Sequence, residues 1–330
     1  MFESLHFSLL RFTIRPVERL LLPEYKGSTF RGAFGKVFKR TVCLQPRGTP
    51  CETCYLQSGC SYYQVFETPI DEQRVDPAVL DVTDLRGVRF APHPFIIEPP
   101  LETKREYTRD EALSFNLILI GKAVDYFPYF IFVVQEMGRQ GIGKGNGHYR
   151  LEYATTVDAN GYEHLLFDGC RQQILIEMPP LSLHAMPVPM VPSEHLWVEF
   201  LTPTRLQVKG KLTMDIQFVN IIRALVRRLV PLQYFHCTQT TEHNLQEITD
   251  ELIRQSCAVR RLQNKLQWYD WSRWSNRKQE KMLMGGFRGE ITFEGNFAPF
   301  ADLLRLGAML HVGKGAVFGM GKYQWNNGSM

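Results

Sequence analysis

The sequence predicts an α+β protein built from two ferredoxin-like (RRM-like) domains in tandem, the second carrying a glycine-rich loop near its end. Three observations lead there. Each half of the 330-residue chain opens on an apolar strand, breaks at a proline and enters a helix that bears arginine or lysine. Each half then closes through a Phe-Pro or Ala-Pro step, a second helix and a glycine-lysine loop ending in tyrosine. Thus Gly121, Pro128, Gly138, Gly143-Lys144-Gly145 and Tyr149 are answered by Gly295, Pro299, Gly307, Gly313-Lys314-Gly315 and Tyr323. Between the halves, five prolines fall from Pro179 to Pro192, a stretch that few contacts are expected to cross. The expected division is a first domain over 1–178 with a four-cysteine insert at about 43–60, a linker over 179–193 and a second domain over 194–330. An apolar content of 44% is enough to fill two cores.

In the first half, Leu5 to Ile14 reads as a strand, closed by Arg15, Pro16 and the leucine-rich run to Pro23. Ser28 or Thr29 caps a helix through about Arg40, with Phe30, Phe34, Val37 and Phe38 inward and Arg31, Lys36, Lys39 and Arg40 outward. Cys43, Cys51, Cys54 and Cys60 follow. One tight pair flanked by single cysteines supplies four soft thiolates for a structural metal, zinc or alternatively an iron-sulfur cluster; four thiolates leave no open position for catalysis. Asp71 to Arg86 is polar and reads as a loop, Leu113 to Ile120 as a buried strand, Pro128 as the start of a helix, Tyr149 to Tyr153 and Gln173 to Met178 as strands.

In the second half, Leu196 to Phe200 starts a strand and Leu206 to Leu212 a short extended element. Phe218 to Val230 is a helix with Arg223, Arg227 and Arg228 outward, stopped by Pro231. Glu242 to Lys265 reads as one long helix or a pair. From Trp268 to Lys278, four aromatics interleave with Arg273, Arg277 and Lys278, side chains suited to stacking on unpaired bases and gripping phosphates. In the closing loop, glycine lets backbone N–H groups approach an extended anion, while Lys314 and Lys322, with Lys144 in the first loop, supply positive charge. Gly138, Gly143 and Lys144 have nucleotide-loop spacing, but Gly145 stands where a magnesium-binding hydroxyl belongs.

The net charge of +4 permits nucleic-acid binding without demanding it. No run reaches eighteen apolar residues, the start reads as a strand rather than a signal peptide, and the crowded cysteines suit a reducing compartment, so a cytoplasmic location away from membranes is expected.

Together, Leu22 to Arg40 (LPEYKGSTFRGAFGKVFKR), the cysteine segment ending in Cys60-Ser61-Tyr62 and Phe66-Glu67, Arg273 to Gly289 (RWSNRKQEKMLMGGFRG) and the closing loop resemble the CRISPR-associated repeat-processing endoribonuclease family, in the repeat-associated mysterious protein superfamily. The resemblance implies a cleft between two ferredoxin-like domains that binds CRISPR repeat RNA. It implies metal-independent cleavage by the ribose 2′-hydroxyl, leaving 2′,3′-cyclic phosphate and 5′-hydroxyl ends; the alternative is a non-catalytic RNA-binding subunit working beside other effector-complex proteins. Members often carry a histidine in or just after the first helix. This chain has Lys36 there and no histidine from Phe7 to Pro92, so the catalytic group is expected around Lys36, assisted by Tyr25 or His6.

Overall fold

The computed structural model describes residues 1–46, 48–186, 194–275 and 280–327, with 273–275, 280–281 and 327 described by backbone alone. The first domain runs β1 (His6–Pro16), β2 (Leu20–Leu21), α1 (Gly27–Val42), α2 (Ser61–Phe66), α3 (Pro77–Val82), β3 (Phe95–Glu98), β4 (Glu106–Tyr107), β5 (Leu113–Ile120), α4 (Phe127–Gln140), β6 (Tyr149–Val157), β7 (Glu163–Asp168), β8 (Gln173–Ile174) and β9 (Leu181–Ser182). Its sheet has the order β3-β5-β1-β6-β7-β8, and β9 pairs with the start of β1. The first four of these strands with α1 and α4 make a βαββαβ ferredoxin-like unit.

The second domain runs β10 (His195–Thr204), β11 (Gln207–Val208), β12 (Lys211–Leu212), α5 (Phe218–His236), α6 (Leu245–Ser256), β13 (Arg260–Tyr269), β14 (Ser272–Ser275), β15 (Glu280–Leu283), β16 (Gly286–Glu294), α7 (Ala301–Leu310) and β17 (Tyr323–Asn327). Its sheet order, β13-β16-β10-β17, repeats that of the first domain strand for strand. The tandem ferredoxin-like architecture is therefore present in both halves.

Strand alternation explains how the halves join. Leu10, Phe12 and Ile14 of β1, Phe95 and Ile97 of β3, and Leu117 and Leu119 of β5 face α1 and α4 in one core. The intervening residues Phe7, Leu9, Ile96, Ile118 and Ile120 belong to a second core shared with Val198, Leu225 and Phe293. One end of the first sheet is buried on both faces, and the second domain covers one of them.

Five expectations change. α5 passes through Pro231 and ends at His236, because Leu232, Tyr234 and His236 continue its buried face and offset one lost N–H donor. Glu242 to Lys265 is not continuous helix: α6 stops at Ser256, and Arg260 onward pairs with β16, Leu262 and Leu266 having mimicked a helical spacing. The loop expected over Asp71 to Arg86 contains α3, capped by Asp76, whose carboxylate accepts from the Ala78 N–H, and opened by Pro77. α1 begins at Gly27, with Lys26 at its cap position and no side-chain cap from Ser28 or Thr29. The described part of the expected linker is not free, since β9 joins the first sheet, Leu181 and Leu183 are buried, and Arg305 donates to the carbonyls of Leu183 and Met186. Residues 187–193 of that stretch lie outside the described residues.

Candidate functional site

The two glycine-lysine loops have one backbone design. After α4, Lys144 N–H donates to the Leu21 carbonyl at 2.9 Å, and after α7, Lys314 N–H donates to the Arg205 carbonyl at 3.0 Å. Arg205 directly follows β10, the first strand of its domain, and Leu21 ends β2, the short strand that comes after β1. Gly143 and Gly313 adopt φ of 73° and 81°, and a Cβ on either would run into those carbonyls. The tyrosines repeat as well: Tyr149 OH donates to the Val134 carbonyl at 2.7 Å and Tyr323 OH to the Leu304 carbonyl at 2.9 Å. Gly138 and Gly307 leave the room those rings occupy. Both lysine side chains are exposed at the loop tips.

The second loop also grips the first domain. Gly27, at the start of α1, sits so close to the Phe318 carbonyl that a Cβ would overlap it, and Tyr25 OH donates to the same carbonyl at 2.7 Å. The Tyr25 ring lies 4.6 Å from that of Trp271, and burial pushes its phenol well above the usual value. Deeper in the seam, the carboxylate of Glu98 on β3, 4% exposed, accepts from His311 Nε2 at 2.7 Å, Lys322 Nζ at 2.8 Å and Asn116 Nδ2 at 2.8 Å. Burial alone would raise this carboxyl; the His311 hydrogen bond and charge, with Lys322 behind them, hold it well below the usual carboxylate range. His311 Nδ1 faces the Met320 carbonyl at 2.9 Å.

These contacts redistribute the residues expected to meet RNA. Lys322 is committed to Glu98. The N–H groups of Lys314, Phe318, Gly319, Gly321 and Lys322, expected to face an anion, are used inside the protein, on Arg205, Gly315, Ala316 and Pro203 carbonyls and the Thr202 hydroxyl. Lys39 points back to Cys51 Sγ at 3.2 Å and over the Tyr62 ring. Arg31 spans the rings of Phe66 and Phe318. Arg273 sits opposite Met282 in the β14–β15 hairpin, whereas Arg277 and Lys278 lie outside the described residues.

The residues expected to carry chemistry are not assembled. Lys36 is exposed on α1, His6 Nδ1 faces the Ser4 carbonyl at 3.0 Å, and no hydrogen bond joins either to Tyr25. Cys43, Cys51, Cys54 and Cys60 do meet, lining one cavity beside α1.

Sequence reading missed His93, whose Nε2 stands 3.3 Å from Arg31; burial first, then the charge of Arg31, pull its imidazole down to about 3. It also missed Glu98 as the centre of the seam. The lone carboxylate directly after the apolar run Phe95 to Ile97 was the available signal.

Residues 5–178 match a family model described as AF_1859_N, N-terminal domain, and residues 198–323 match the model of the CRISPR-associated endoribonuclease Cas6. An uncharacterized protein of Archaeoglobus fulgidus is 26% identical over 214 residues, a match spanning 63% of this chain and 63% of that protein's length. Among solved structures, a Cas6 product complex aligns with a TM-score of 0.56 at 15% identity, covering 97% of this chain and 99% of the other. Cas6 of Thermus thermophilus aligns at 0.53 and 13%, covering 98% and 99%. A chain of a partial Cas6-RT-Cas1–Cas2 complex aligns at 0.55 and 12%, covering 98% of this chain and 46% of its own. At these identities the structural likenesses establish the fold. No helix among the described residues is long and apolar enough to cross a membrane.

Proposed function

We propose that this chain, which belongs to the Cas6-like family of CRISPR RNA-processing proteins, binds CRISPR repeat RNA across its two domains and cuts it as a metal-independent endoribonuclease. The observation that carries the binding half is the pair of matched loops, each presenting an exposed lysine, Lys144 or Lys314, from a rigid backbone. Positive groups fixed at two symmetry-related points suit a phosphate backbone laid over both domains. Arg31, Arg273, Arg277 and Lys278 extend the proposed RNA contacts, while Lys39 and Lys322 serve the protein interior.

In the proposed reaction, the ribose 2′-hydroxyl gives up its proton as its oxygen bonds to the adjacent phosphorus, and the 5′-oxygen of the next nucleotide departs and takes up a proton, leaving 2′,3′-cyclic phosphate and 5′-hydroxyl ends. Lys36 is exposed, and takes the role of the cation that stabilises charge on the phosphate. Tyr25 anchors the start of α1 against the glycine loop, and His6 is held by the chain before β1.

The test is incubation of labelled repeat RNA with the full chain in excess EDTA. One cut with a cyclic phosphate end is expected, and Lys36→Ala should slow it about 100-fold or more. An unchanged rate at unchanged RNA affinity would remove Lys36 from the reaction. A second reading, a non-catalytic RNA-binding subunit beside other effector-complex proteins, is favoured by the scattering of Lys36, Tyr25 and His6. Tight binding with no cut would select it.

A further inference from the structure

We infer that Cys43, Cys51, Cys54 and Cys60 form a single-ion, four-thiolate zinc site, and that Lys39 is the positive neighbour that balances its charge. The backbone between the last three cysteines winds in successive three-residue turns: Cys54 N–H donates to the Cys51 carbonyl, Gln57 N–H to that of Cys54, and Cys60 N–H to that of Gln57, at 3.2–3.3 Å. Two short 3₁₀ turns, Cys51–Thr53 and Gln57–Gly59, fold this segment so that Cys51, Cys54 and Cys60 line the same cavity. Cys43 stands at the end of α1, and all four line one cavity with Gln57, Tyr62 and Tyr63.

None of the four is in a disulfide. No group of three or more His, Cys, Asp or Glu side chains among the described residues is arranged to hold an ion as it stands, so binding draws the sulfurs inward by side-chain rotation and releases the thiol protons. The four cysteines around one cavity match the tetrahedral four-thiolate set that a single zinc ion takes. Four thiolates around a dication leave a net negative site. Lys39 Nζ lies 3.2 Å from Cys51 Sγ and 5.0 Å from the centre of the Tyr62 ring, where an ammonium offsets that charge. Tyr62 in turn stacks on Phe66 of the first core at 4.8 Å, so the insert is tied to the domain that carries α1.

The experiment is metal analysis of the full chain produced with zinc supplied, followed by chelator competition. One zinc per chain is expected, lost in Cys54→Ser and retained in Cys170→Ser and Cys257→Ser, whose thiols lie outside the insert. Lys39→Gln should keep the stoichiometry and weaken zinc about 10-fold or more. Should Cys54→Ser fail to fold, cobalt exchanged into the unaltered chain gives the answer, since thiolate-to-cobalt charge-transfer intensity counts the sulfur ligands. A chain that binds no zinc, cobalt with fewer than three sulfur ligands, or iron with acid-labile sulfide would overturn the site. Unchanged zinc affinity in Lys39→Gln would overturn the role of Lys39.

Discussion

The loop at Gly138 to Tyr149 and the loop at Leu306 to Tyr323 share their glycine conformations, their lysine N–H bond and their tyrosine anchor, yet they differ in what they hold. The first is fastened by its Gly-Lys-Gly turn to the strand end of its own domain. The second makes the same attachment and adds His311, Phe318 and Lys322, which reach into the first domain. The two copies share the tip that presents a lysine, and the base of one copy serves as a clasp between domains. The proposed RNA contact and the domain clasp therefore sit on different residues of one loop.

The difference can be broken most forcefully at Glu98. Glu98→Gln strips the buried carboxylate from His311 and Lys322 and should cost about 3–5 kcal/mol in chemical denaturation. The clasp should also depend on pH. The folded Glu98 carboxyl lies below its ordinary value of about 4.3, so its stabilisation is complete above that value and is lost as pH falls through the lowered folded value. The stability gap between the unaltered chain and Glu98→Gln should accordingly narrow on acidification below pH ~4; a gap that widened there would contradict this account.

The shared design is tested by Gly138→Ala and Gly307→Ala, each of which drives a methyl group into the tyrosine anchor. Losses of about 1–3 kcal/mol are expected at both positions, and a loss at only one would mean that the copies are not mechanically equivalent. Tyr25→Phe removes one hydrogen bond to Phe318 and should cost about 1 kcal/mol while leaving the Trp271 contact in place. The smallest effects are expected at the tips: Lys144→Ala and Lys314→Ala should each leave thermal unfolding unchanged and reduce the salt dependence of RNA affinity by about 0.7 in log-log slope. Two equal slopes would mark the tips as equivalent phosphate contacts, and an unaltered slope would exclude that lysine.

Much of the scaffold was legible because it rests on local signals. The apolar alternation of β1 and β5, the inward phenylalanines of α1 and the glycines at positive φ mark elements whose causes lie within a few residues. β13 escaped because it is largely exposed, so its sequence shows little alternation, while Leu262 and Leu266 fall four apart as on a helix. The clasp escaped for a different reason: Glu98 is separated by 213 and 224 residues from His311 and Lys322. Lys144 and Lys314 stand exposed at the loop tips, whereas Lys322 and Lys39 could be assigned to the interior only once their distant partners were in view.

The two-faced burial of the first sheet bears on how the chain is made. During synthesis the amino-terminal half leaves the ribosome first, with Phe7, Leu9, Ile96, Ile118 and Ile120 uncovered until β10, α5 and β16 arrive. A fragment ending at residue 178 would carry that apolar face permanently and is expected to be chaperone-dependent or aggregated. The duplicated halves, alike as they are, should then melt in a single cooperative transition rather than as two autonomous modules.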